Sequence, residues 1–258
     1  MSSRTTLRFV DPEEAFKSVK PGETFSSYFA HKYVKGLISA DYSTILDLLK
    51  KERSTNTLLN DEMTQAEAVY EKSVKTELPK ECHIAIIAYT SNSNLYKDFN
   101  ERCRKMDSDK SWEKFPYKSL YALLARSIHD IDNVPPVTTE IYYRGMKQKV
   151  SSLKMGQHIF SKQFMSCTPK KAVADKFLGS KGTLLIYQGS PRAACGIKNL
   201  SMFPEEEELL VFPWNVFEVT NIVPGKQDEV YLKTVESFEM DLPYCGNYKS
   251  KGVAVINN

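Results

Sequence analysis

The chain has few of the features that mark exported, membrane-spanning or lipid-anchored proteins. Its first sixteen residues include an arginine but no apolar run after it, so they do not resemble a secretory signal peptide. No stretch is long and apolar enough to cross a bilayer. The polar residues 251–258 also differ from the hydrophobic tail that signals a lipid anchor. From these absences we predict a cytoplasmic protein with no membrane span.

Cysteine is scarce, and no two cysteines have the spacing of a metal site. The five cysteines are Cys82, Cys103, Cys167, Cys195 and Cys245. Because there is no CxxC pair and there are only four histidines, we expect no structural zinc and no other metal. Most of the cysteines are expected to be reduced core residues. If the protein is exported, one disulfide bridge could form, for instance between Cys82 and Cys245.

An excess of one charge is also lacking. The 35 basic and 32 acidic residues give a net charge of +3 and are spread along the chain. Nucleic-acid binders usually concentrate positive charge in a patch or stripe, so the sequence gives little reason to expect a nucleic-acid partner. A small molecule that carries phosphate remains compatible with this charge. The length and the ordinary apolar fraction of 41% indicate a folded protein with one large domain.

The chain changes in character near residue 135, from helices to strands. Spacings of three and four residues predict helices, which Pro135 and Pro136 close. The helices are expected over residues 62–76, 80–89, 95–105 and 117–131. Short Tyr-, Val-, Ile- and Leu-rich runs then predict strands, with one short helix over residues 169–178. The strands are expected at residues 140–145, before Thr168, at 183–188, near 193–197, and at 208–212, 217–223 and 230–235.

This order of elements favours an α+β fold, in which an N-terminal helical segment precedes a sheet. A parallel, doubly wound sheet is not expected, since no GxGxxG loop is present. We divide the chain into an N-terminal extension (1–58), a catalytic domain (59–238) and a C-terminal tail (239–258). Within the domain, the helical part spans 59–135 and the sheet part spans 136–238.

Three short motifs carry candidate chemistry, although each has an ordinary explanation when taken alone. They are Arg144 in YYRG, Ser166 in FMSCT, and the four glutamates 205–208 before LLVFP. An arginine beside a glycine is usually a surface charge, and a run of glutamates is usually a solvated segment. Here, however, the glutamates lead directly into an apolar strand. Because side chains alternate along a strand, Glu206 and Glu208 are expected on one face.

Two carboxylates on one surface suit the cleavage of a glycosidic bond. A fixed carboxylate stabilises the positive charge that develops on the sugar in an oxocarbenium-like transition state. A cationic leaving group such as nicotinamide departs as a neutral molecule, so this reaction needs no general acid. An arginine adds a planar donor that can hold a diphosphate at two points and stays charged at any physiological pH.

In this order, the motifs YRG, F-x-S-x-T and E-x-E followed by LLV and a proline resemble those of the cholera-toxin-like mono-ADP-ribosyltransferases with an R-S-E signature. The segments IAIIAYTSNSNLYKDFNERCRK, YKSLYALLARSIHDI and IKNLSMFPEEEELLVFP also look like those of the vertebrate-type arginine-specific members. The resemblance covers about residues 62–237. It implies a mostly antiparallel split-sheet core, NAD as the substrate without a metal, and an acceptor protein with an exposed arginine.

The resemblance also implies a role for each motif residue. Arg144 would hold the NAD phosphates or the adjoining ribose, and Ser166 would brace the nicotinamide ribose and Glu208. Glu208 would be the indispensable carboxylate, which binds the ribose 2′-hydroxyl and stabilises the oxocarbenium ion. Glu206 would bind the acceptor guanidinium and help to remove its proton. Gly145 would let the cofactor approach the backbone.

Two further positions are weaker candidates. Phe177 would pack near nicotinamide, with a core position on a short helix as an equally good interpretation. The turn Asn199–Pro204 would be the place where acceptor proteins dock. The chain departs from the family's usual Ser-Thr-Ser at Cys167 and Thr168, which leaves the role of the third position open. With four adjacent glutamates, the pair 205 and 207 is a second possible register, although the spacing to LLVFP favours 206 and 208.

Two other functions remain open besides arginine-directed transfer. In an NAD glycohydrolase, water would intercept the same oxocarbenium ion because no acceptor is held in place. A non-catalytic interaction module would keep the fold after losing activity, and degenerate motifs would be its signature. Because the motifs here are intact, this last hypothesis ranks third.

Overall fold

The computed structural model of the protein describes residues 16–18, 36–38, 40–130, 141–189, 194–213 and 215–235. The helices are α1 (Tyr42–Thr55), α2 (Thr57–Tyr70), α3 (Lys80–Thr90), α4 (Leu95–Arg104), α5 (Asp109–Glu113), α6 (Lys118–Asp130) and α7 (Lys171–Asp175). The strands are β1 (Phe16–Ser18), β2 (Ile141–Met146), β3 (His158–Ser161), β4 (Met165–Cys167), β5 (Thr183–Gln188), β6 (Ala194–Gly196), β7 (Leu209–Val211), β8 (Val216–Val223) and β9 (Asp228–Thr234). A short 3₁₀ helix covers Pro204–Glu206.

The strands form two sheets. Six strands pair in the order β1-β3-β8-β9-β5-β2, and three pair in the order β4-β7-β6. All of these pairings are antiparallel except the one between β5 and β9. A single bridge between Tyr143 and Thr168 links an edge strand of the large sheet to the end of the small sheet. The predicted α+β class with a helical segment before a mostly antiparallel split sheet is confirmed.

The helices and the small sheet share one core. Helix α3 is buried on all sides from Cys82 to Tyr89, as expected for a short apolar helix inside a bundle. An aromatic cluster joins this helical layer to the strands. In it, the Phe164 ring meets Tyr121 and Phe212 edge to face, at centroid distances of 5.1 and 5.6 Å. Such geometry is the favoured one for aromatic pairs, so the small sheet is firmly attached to the helices. A second core lies between the two sheets.

The predicted elements differ from the observed ones mainly at the edges of the domain. Helix α2 begins and ends about five residues earlier than the expected 62–76, because the side chain of Asn56 caps its first turn by accepting from the Leu59 N–H. The strands β1 and β3 were not predicted as separate elements. The strand expected at 208–212 is shorter and begins at Leu209. Pro135, Pro136 and the tail 239–258 lie outside the described residues.

Helix α1 lies within the predicted N-terminal extension and packs into the same core as the rest of the helical layer. Its buried positions are Ile45, Leu49 and Glu52, spaced by four and three residues on one face. This spacing was present in the sequence, but only two of the three positions are apolar. Helix α1 also contacts α2 and α6, which lie beyond the predicted boundary. The division of the chain at residue 58 therefore stays a prediction.

Glu52 links α1 to the start of α6. Its carboxylate is 8% exposed and accepts hydrogen bonds from the Lys118 N–H at 2.9 Å, from the Ser119 N–H at 3.0 Å and from the Ser119 hydroxyl at 2.6 Å. The first N–H groups of a helix have no partner within the helix, and a carboxylate is favoured near this positive end. Glu52 thus caps a core helix from a residue 66 positions earlier in the chain.

We expect that Glu52→Ala lowers the free energy of unfolding by about 2–4 kcal/mol, because it leaves buried donors of α6 without a partner. Denaturant unfolding followed by circular dichroism measures the change. Lys51→Ala is the matched control, since Lys51 lies next to Glu52 on α1 but is exposed. An equal effect of both substitutions would contradict the capping role.

Candidate functional site

The predicted site residues line one cleft of about 440 Å³. Its walls come from the end of α3, the start of α4, the strands β2 and β4, helix α7 and the segment before β7. The predicted residues in the lining are Arg144, Gly145, Ser166, Phe177, Glu206 and Glu208. A larger groove of about 980 Å³ lies among α1, α2 and α3 and contains none of them. The smaller cleft is therefore the candidate active site.

Arg144 joins the two sheets at the centre of this cleft. It lies on β2, where it pairs with Leu185 of the neighbouring strand. Its Nη1 atom donates a hydrogen bond of 2.8 Å to the carbonyl oxygen of Ser166 on β4. The residue is half-buried. The bond to Ser166 anchors its guanidinium on one side.

Ser166 and Glu208 meet because β4 and β7 are antiparallel neighbours. Ser166 pairs with Leu210, and Cys167 pairs with Leu209, so Glu208 follows immediately beyond the paired residues. The side chain of Ser166 hydrogen-bonds to the Glu208 carboxylate. Glu208 is 6% exposed. The register of two short strands thus places a nearly buried carboxylate beside a hydroxyl group.

The environment of Glu208 raises its pKa to about 7. Burial is the main cause, because it disfavours the charged form. The hydrogen bond from Ser166 acts in the opposite direction, the negative charge of Glu206 raises the pKa, and Arg144 and the Ser201 hydroxyl lower it. Such a carboxylate changes its charge near neutral pH, which is typical of functional sites.

The strand geometry predicted for the glutamates is wrong. Pro204–Glu206 form a 3₁₀ helix, Glu207 has a φ of +48°, and β7 begins only at Leu209. Because Glu207 has this left-handed backbone conformation, the side chains of the glutamate run do not alternate between two faces as they would in a strand. Glu206 and Glu208 nevertheless both line the cleft.

Glu207 lies outside this lining and forms ion pairs instead. Its carboxylate is 2.6 Å from the Lys198 ammonium and 3.3 Å from the Lys170 ammonium. These hydrogen bonds hold the pKa of Glu207 below its usual value. Burial, together with Glu205, raises the pKa of Glu206 above its usual value. Neighbouring glutamates in one run therefore have opposite electrostatic environments.

Thr168 holds the backbone that carries Glu206. Its hydroxyl donates a hydrogen bond of 2.6 Å to the Glu206 carbonyl oxygen and accepts one from the Lys170 N–H at 3.1 Å. The third position of the S-x-T motif, which the sequence left open, thus has a structural contact with the glutamate segment. Cys167 between the two hydroxyls is buried, and burial raises the pKa of its thiol to about 12. It is a core residue, as expected.

Gly145 and Phe177 both border the cleft. A Cβ atom on Gly145 would lie 2.1 Å from the carbonyl oxygen of Ala174, so glycine is required for α7 to pack on β2. This requirement is independent of the predicted approach of a cofactor. Phe177 follows α7 and is 47% exposed, which contradicts the alternative of a core position. Contact of either residue with a cofactor stays a prediction.

Several cleft residues were not predicted from the sequence. They are aromatic and polar residues at the end of α3 and the start of α4: Tyr89, Thr90, Ser91, Asn92, Tyr96 and Asn100. The polar run TSNSN after an apolar helix was a signal for a helix end, but not for a binding surface. Phe203 also lines the cleft, and Met202 beside it is exposed, so the turn 199–204 borders the site.

Within the described ranges, no three His, Cys, Asp or Glu residues are grouped so that they could hold a metal ion. Of the helices in the described part of the chain, none has both the length and the apolar character needed to cross a membrane. Cys82, Cys103, Cys167 and Cys195 are buried, whereas Cys245 lies outside the described residues.

The chain is similar in sequence to several named ADP-ribosyltransferases. Chicken NAD(P)(+)--arginine ADP-ribosyltransferase 2 is 30% identical over 164 residues, which cover 61% of this chain and 50% of the relative. Human ecto-ADP-ribosyltransferase 5 is 28% identical over 222 residues, which cover 80% of this chain and 74% of the relative. The chain spans about half the length of the two chicken relatives that it matches.

Solved structures share the fold. The eucaryotic mono-ADP-ribosyltransferase ART2.2 superposes with a TM-score of 0.62 at 21% identity, over 88% of this chain and 93% of that chain. A mutant of ART2.2 in complex with NAD gives a TM-score of 0.61 at 23% identity, over 74% of this chain and 84% of that chain. At these identities the likeness shows a common fold.

The relatives overturn the predicted cytoplasmic location. Several are named ecto-ADP-ribosyltransferases, and a mouse relative that is 26% identical over 241 residues, covering 86% of this chain and 72% of the relative, is named as GPI-linked. The prediction rested on the composition of the terminal residues, and that composition does not decide in which compartment a protein works.

A sequence model of one protein family matches most of the chain. The model described as NAD:arginine ADP-ribosyltransferase matches residues 23–238, which include every predicted site residue and the predicted boundary at residue 58. With the fold, the cleft and this match in agreement, the chain belongs to the NAD:arginine ADP-ribosyltransferase family.

Proposed function

We propose that this protein cleaves NAD at the nicotinamide glycosidic bond and transfers ADP-ribose to an arginine side chain of an acceptor protein. The observation that carries the proposal is the convergence of Arg144, Ser166, Glu206 and Glu208 on one cleft. Membership of the family supports the same chemistry.

The first step breaks the bond between the ribose C1′ atom and the nicotinamide nitrogen. The bonding electrons leave with nicotinamide, which becomes neutral, and positive charge develops on the ribose ring. Glu208, when ionised, stabilises this charge and accepts a hydrogen bond from the ribose 2′-hydroxyl. Arg144 balances the negative charge of the diphosphate. No proton needs to be donated to the leaving group, so a site without a general acid is sufficient.

The second step forms a bond between C1′ and a guanidinium nitrogen of the acceptor. Glu206 attracts this cation and takes up the proton that the nitrogen loses. Its half-buried position at the mouth of the cleft, two residues from Glu208, suits a group that must contact both solvent and substrate. The exposed turn at Met202 would contact the acceptor protein.

NAD hydrolysis is the second candidate function. The cleft is open to solvent at Glu206, so water can reach the same oxocarbenium ion when no acceptor is bound. The two functions share Glu208 and differ in their need for Glu206. The interaction-module hypothesis predicts no turnover of NAD by folded protein.

We expect Glu208→Gln to lower nicotinamide release from NAD by roughly 100-fold or more, because it removes the charge that stabilises the transition state.

Glu206→Gln is expected to suppress transfer to agmatine, a free guanidine acceptor, by roughly 100-fold while hydrolysis continues. Nicotinamide and ADP-ribosylagmatine are measured together by chromatography.

Glu205→Gln is the matched control, because Glu205 belongs to the same glutamate run but does not line the cleft. Equal loss of both activities in the 206 and 208 variants would contradict separate roles. Release without transfer by the wild type would favour the glycohydrolase, and no turnover by folded protein would favour the interaction module.

The pH dependence of nicotinamide release provides a separate test. Since the pKa of Glu208 is about 7, its active, ionised form is lost as the pH falls through about 7. We expect kcat/KM to fall about tenfold per pH unit below this value. Because the charge of Glu206 raises the pKa of Glu208, Glu206→Gln should move this acidic limb to lower pH. A flat profile between about pH 5 and pH 8 would contradict the role of Glu208.

A further inference from the structure

Ser201 lies beside the glutamate segment but belongs to none of the three motifs. It is part of a tight turn in which the Leu200 and Ser201 N–H groups both donate to the Ile197 carbonyl oxygen, at 2.9 and 2.8 Å. The Ile197 N–H in turn donates to the Glu208 carbonyl oxygen at 2.9 Å. The turn therefore starts next to Glu208 in space and brings Ser201 back towards the same residue.

The Ser201 hydroxyl has two partners, and both belong to residues that line the cleft. It accepts a hydrogen bond from the Phe203 N–H at 3.1 Å, and it donates one of 3.4 Å to the Oε2 atom of Glu208. A hydroxyl has only one hydrogen, and the bond from Phe203 occupies a lone pair. The remaining hydrogen is thereby directed at the carboxylate.

We propose that Ser201 is a positioning residue that holds the Glu208 carboxylate in its orientation and in its ionised form. The proposal rests on the function proposed above, and it adds a residue that acts on the reaction only through Glu208. A hydrogen bond donated to a carboxylate favours the charged form over the protonated form. The 3.4 Å length makes this a modest contribution compared with a short charge-assisted bond.

The other groups that act on Glu208 come from five different elements. These groups are Arg144 on β2, Ser166 and Cys167 on β4, Cys195 on β6, Tyr89 on α3, and Glu206 in the 3₁₀ helix. The thiols of Cys167 and Cys195 and the phenol of Tyr89 are buried, and burial raises the pKa of each, so they stay neutral near pH 7. Charge near Glu208 is therefore set by Arg144 and Glu206.

The two serines support Glu208 from different kinds of structure. Ser166 lies in a paired strand, whereas Ser201 lies in a turn that is fastened to α3 by the Met202 N–H, which donates to the Thr90 hydroxyl at 3.1 Å. The contact of Ser201 thus depends on the conformation of the segment that borders the acceptor side of the cleft. This arrangement connects the acceptor turn with the residue that breaks the glycosidic bond.

The test compares the titration of Glu208 in the wild type, Ser201→Ala and Ser201→Thr. Carbon-13 NMR of side-chain-labelled glutamate gives the pKa, and the signal of Glu208 is the one that is absent from Glu208→Gln. We expect Ser201→Ala to raise this pKa by roughly half a unit and Ser201→Thr to restore it. Ser73→Ala is the control, because the Ser73 hydroxyl donates to a backbone carbonyl outside the cleft.

Nicotinamide release is measured in parallel. Since a higher pKa leaves less carboxylate ionised, Ser201→Ala should lose about twofold in kcat/KM at pH 7 and recover this loss near pH 9. An unchanged pKa of Glu208, or a loss of kcat/KM that is equal at all pH values, would overturn the proposal. The titration needs no substrate. A wild type that fails to cleave NAD would therefore contradict the proposed function, while the titration still decides the role of Ser201.

Discussion

The site depends on the burial of one carboxylate at the point where two sheets meet. Removing the Glu208 carboxylate from water disfavours its charged form, and this cost is offset by groups that come from separate parts of the chain. Ser166 and Ser201 donate hydrogen bonds, and Arg144 supplies an opposite charge. If any of these elements moved by more than about an ångström, the hydrogen bonds to the carboxylate would be lost. The relative positions of these elements are therefore constrained by their contacts with this single carboxylate.

The connection between the sheets follows from that constraint. Arg144 belongs to the large sheet, while Ser166 and the residues next to Glu208 belong to the small one. Two contacts hold the sheets together at this point. They are the hydrogen bond from the Arg144 guanidinium to the Ser166 carbonyl and the backbone bridge between Tyr143 and Thr168. The cleft is the space that opens between the sheets beside these contacts. The aromatic core borders this cleft through Tyr89, whose ring lies 6.1 Å from that of Phe164.

The elements that were predicted most reliably are those whose structure depends on the local pattern of apolar residues. The strand at 183–188 was placed correctly because all of its residues but the last are buried, which produces an unbroken apolar run. Helix α1 was missed because a charged residue, Glu52, occupies one of its three buried positions. The pair Glu206 and Glu208 was identified correctly as lining one site, but through a strand that does not exist there. A left-handed backbone at a glutamate has no sequence signal, since glycine is the residue expected in that conformation. The contacts of Thr168 and Ser201 depend on tertiary structure and could not be read from the motifs.

The two glutamates are held in different ways, in line with the different roles proposed for them. Glu208 lies next to a paired strand and is nearly buried, so its position is set by strand pairing and by the packing of the core. Glu206 lies on one turn of 3₁₀ helix, which is held by the Thr168 hydroxyl and by the ion pairs of Glu207. Exposed ion pairs of this kind contribute little, about 0–1 kcal/mol, so the short, partly buried hydrogen bond from Thr168 is the main restraint. In the proposed function, a firmly held group for bond cleavage beside a less restrained group for the acceptor would allow one ribosyl cation to meet acceptors of different shape. The same freedom would let water compete, so we expect the balance between transfer and hydrolysis to depend on Glu206 rather than on Glu208.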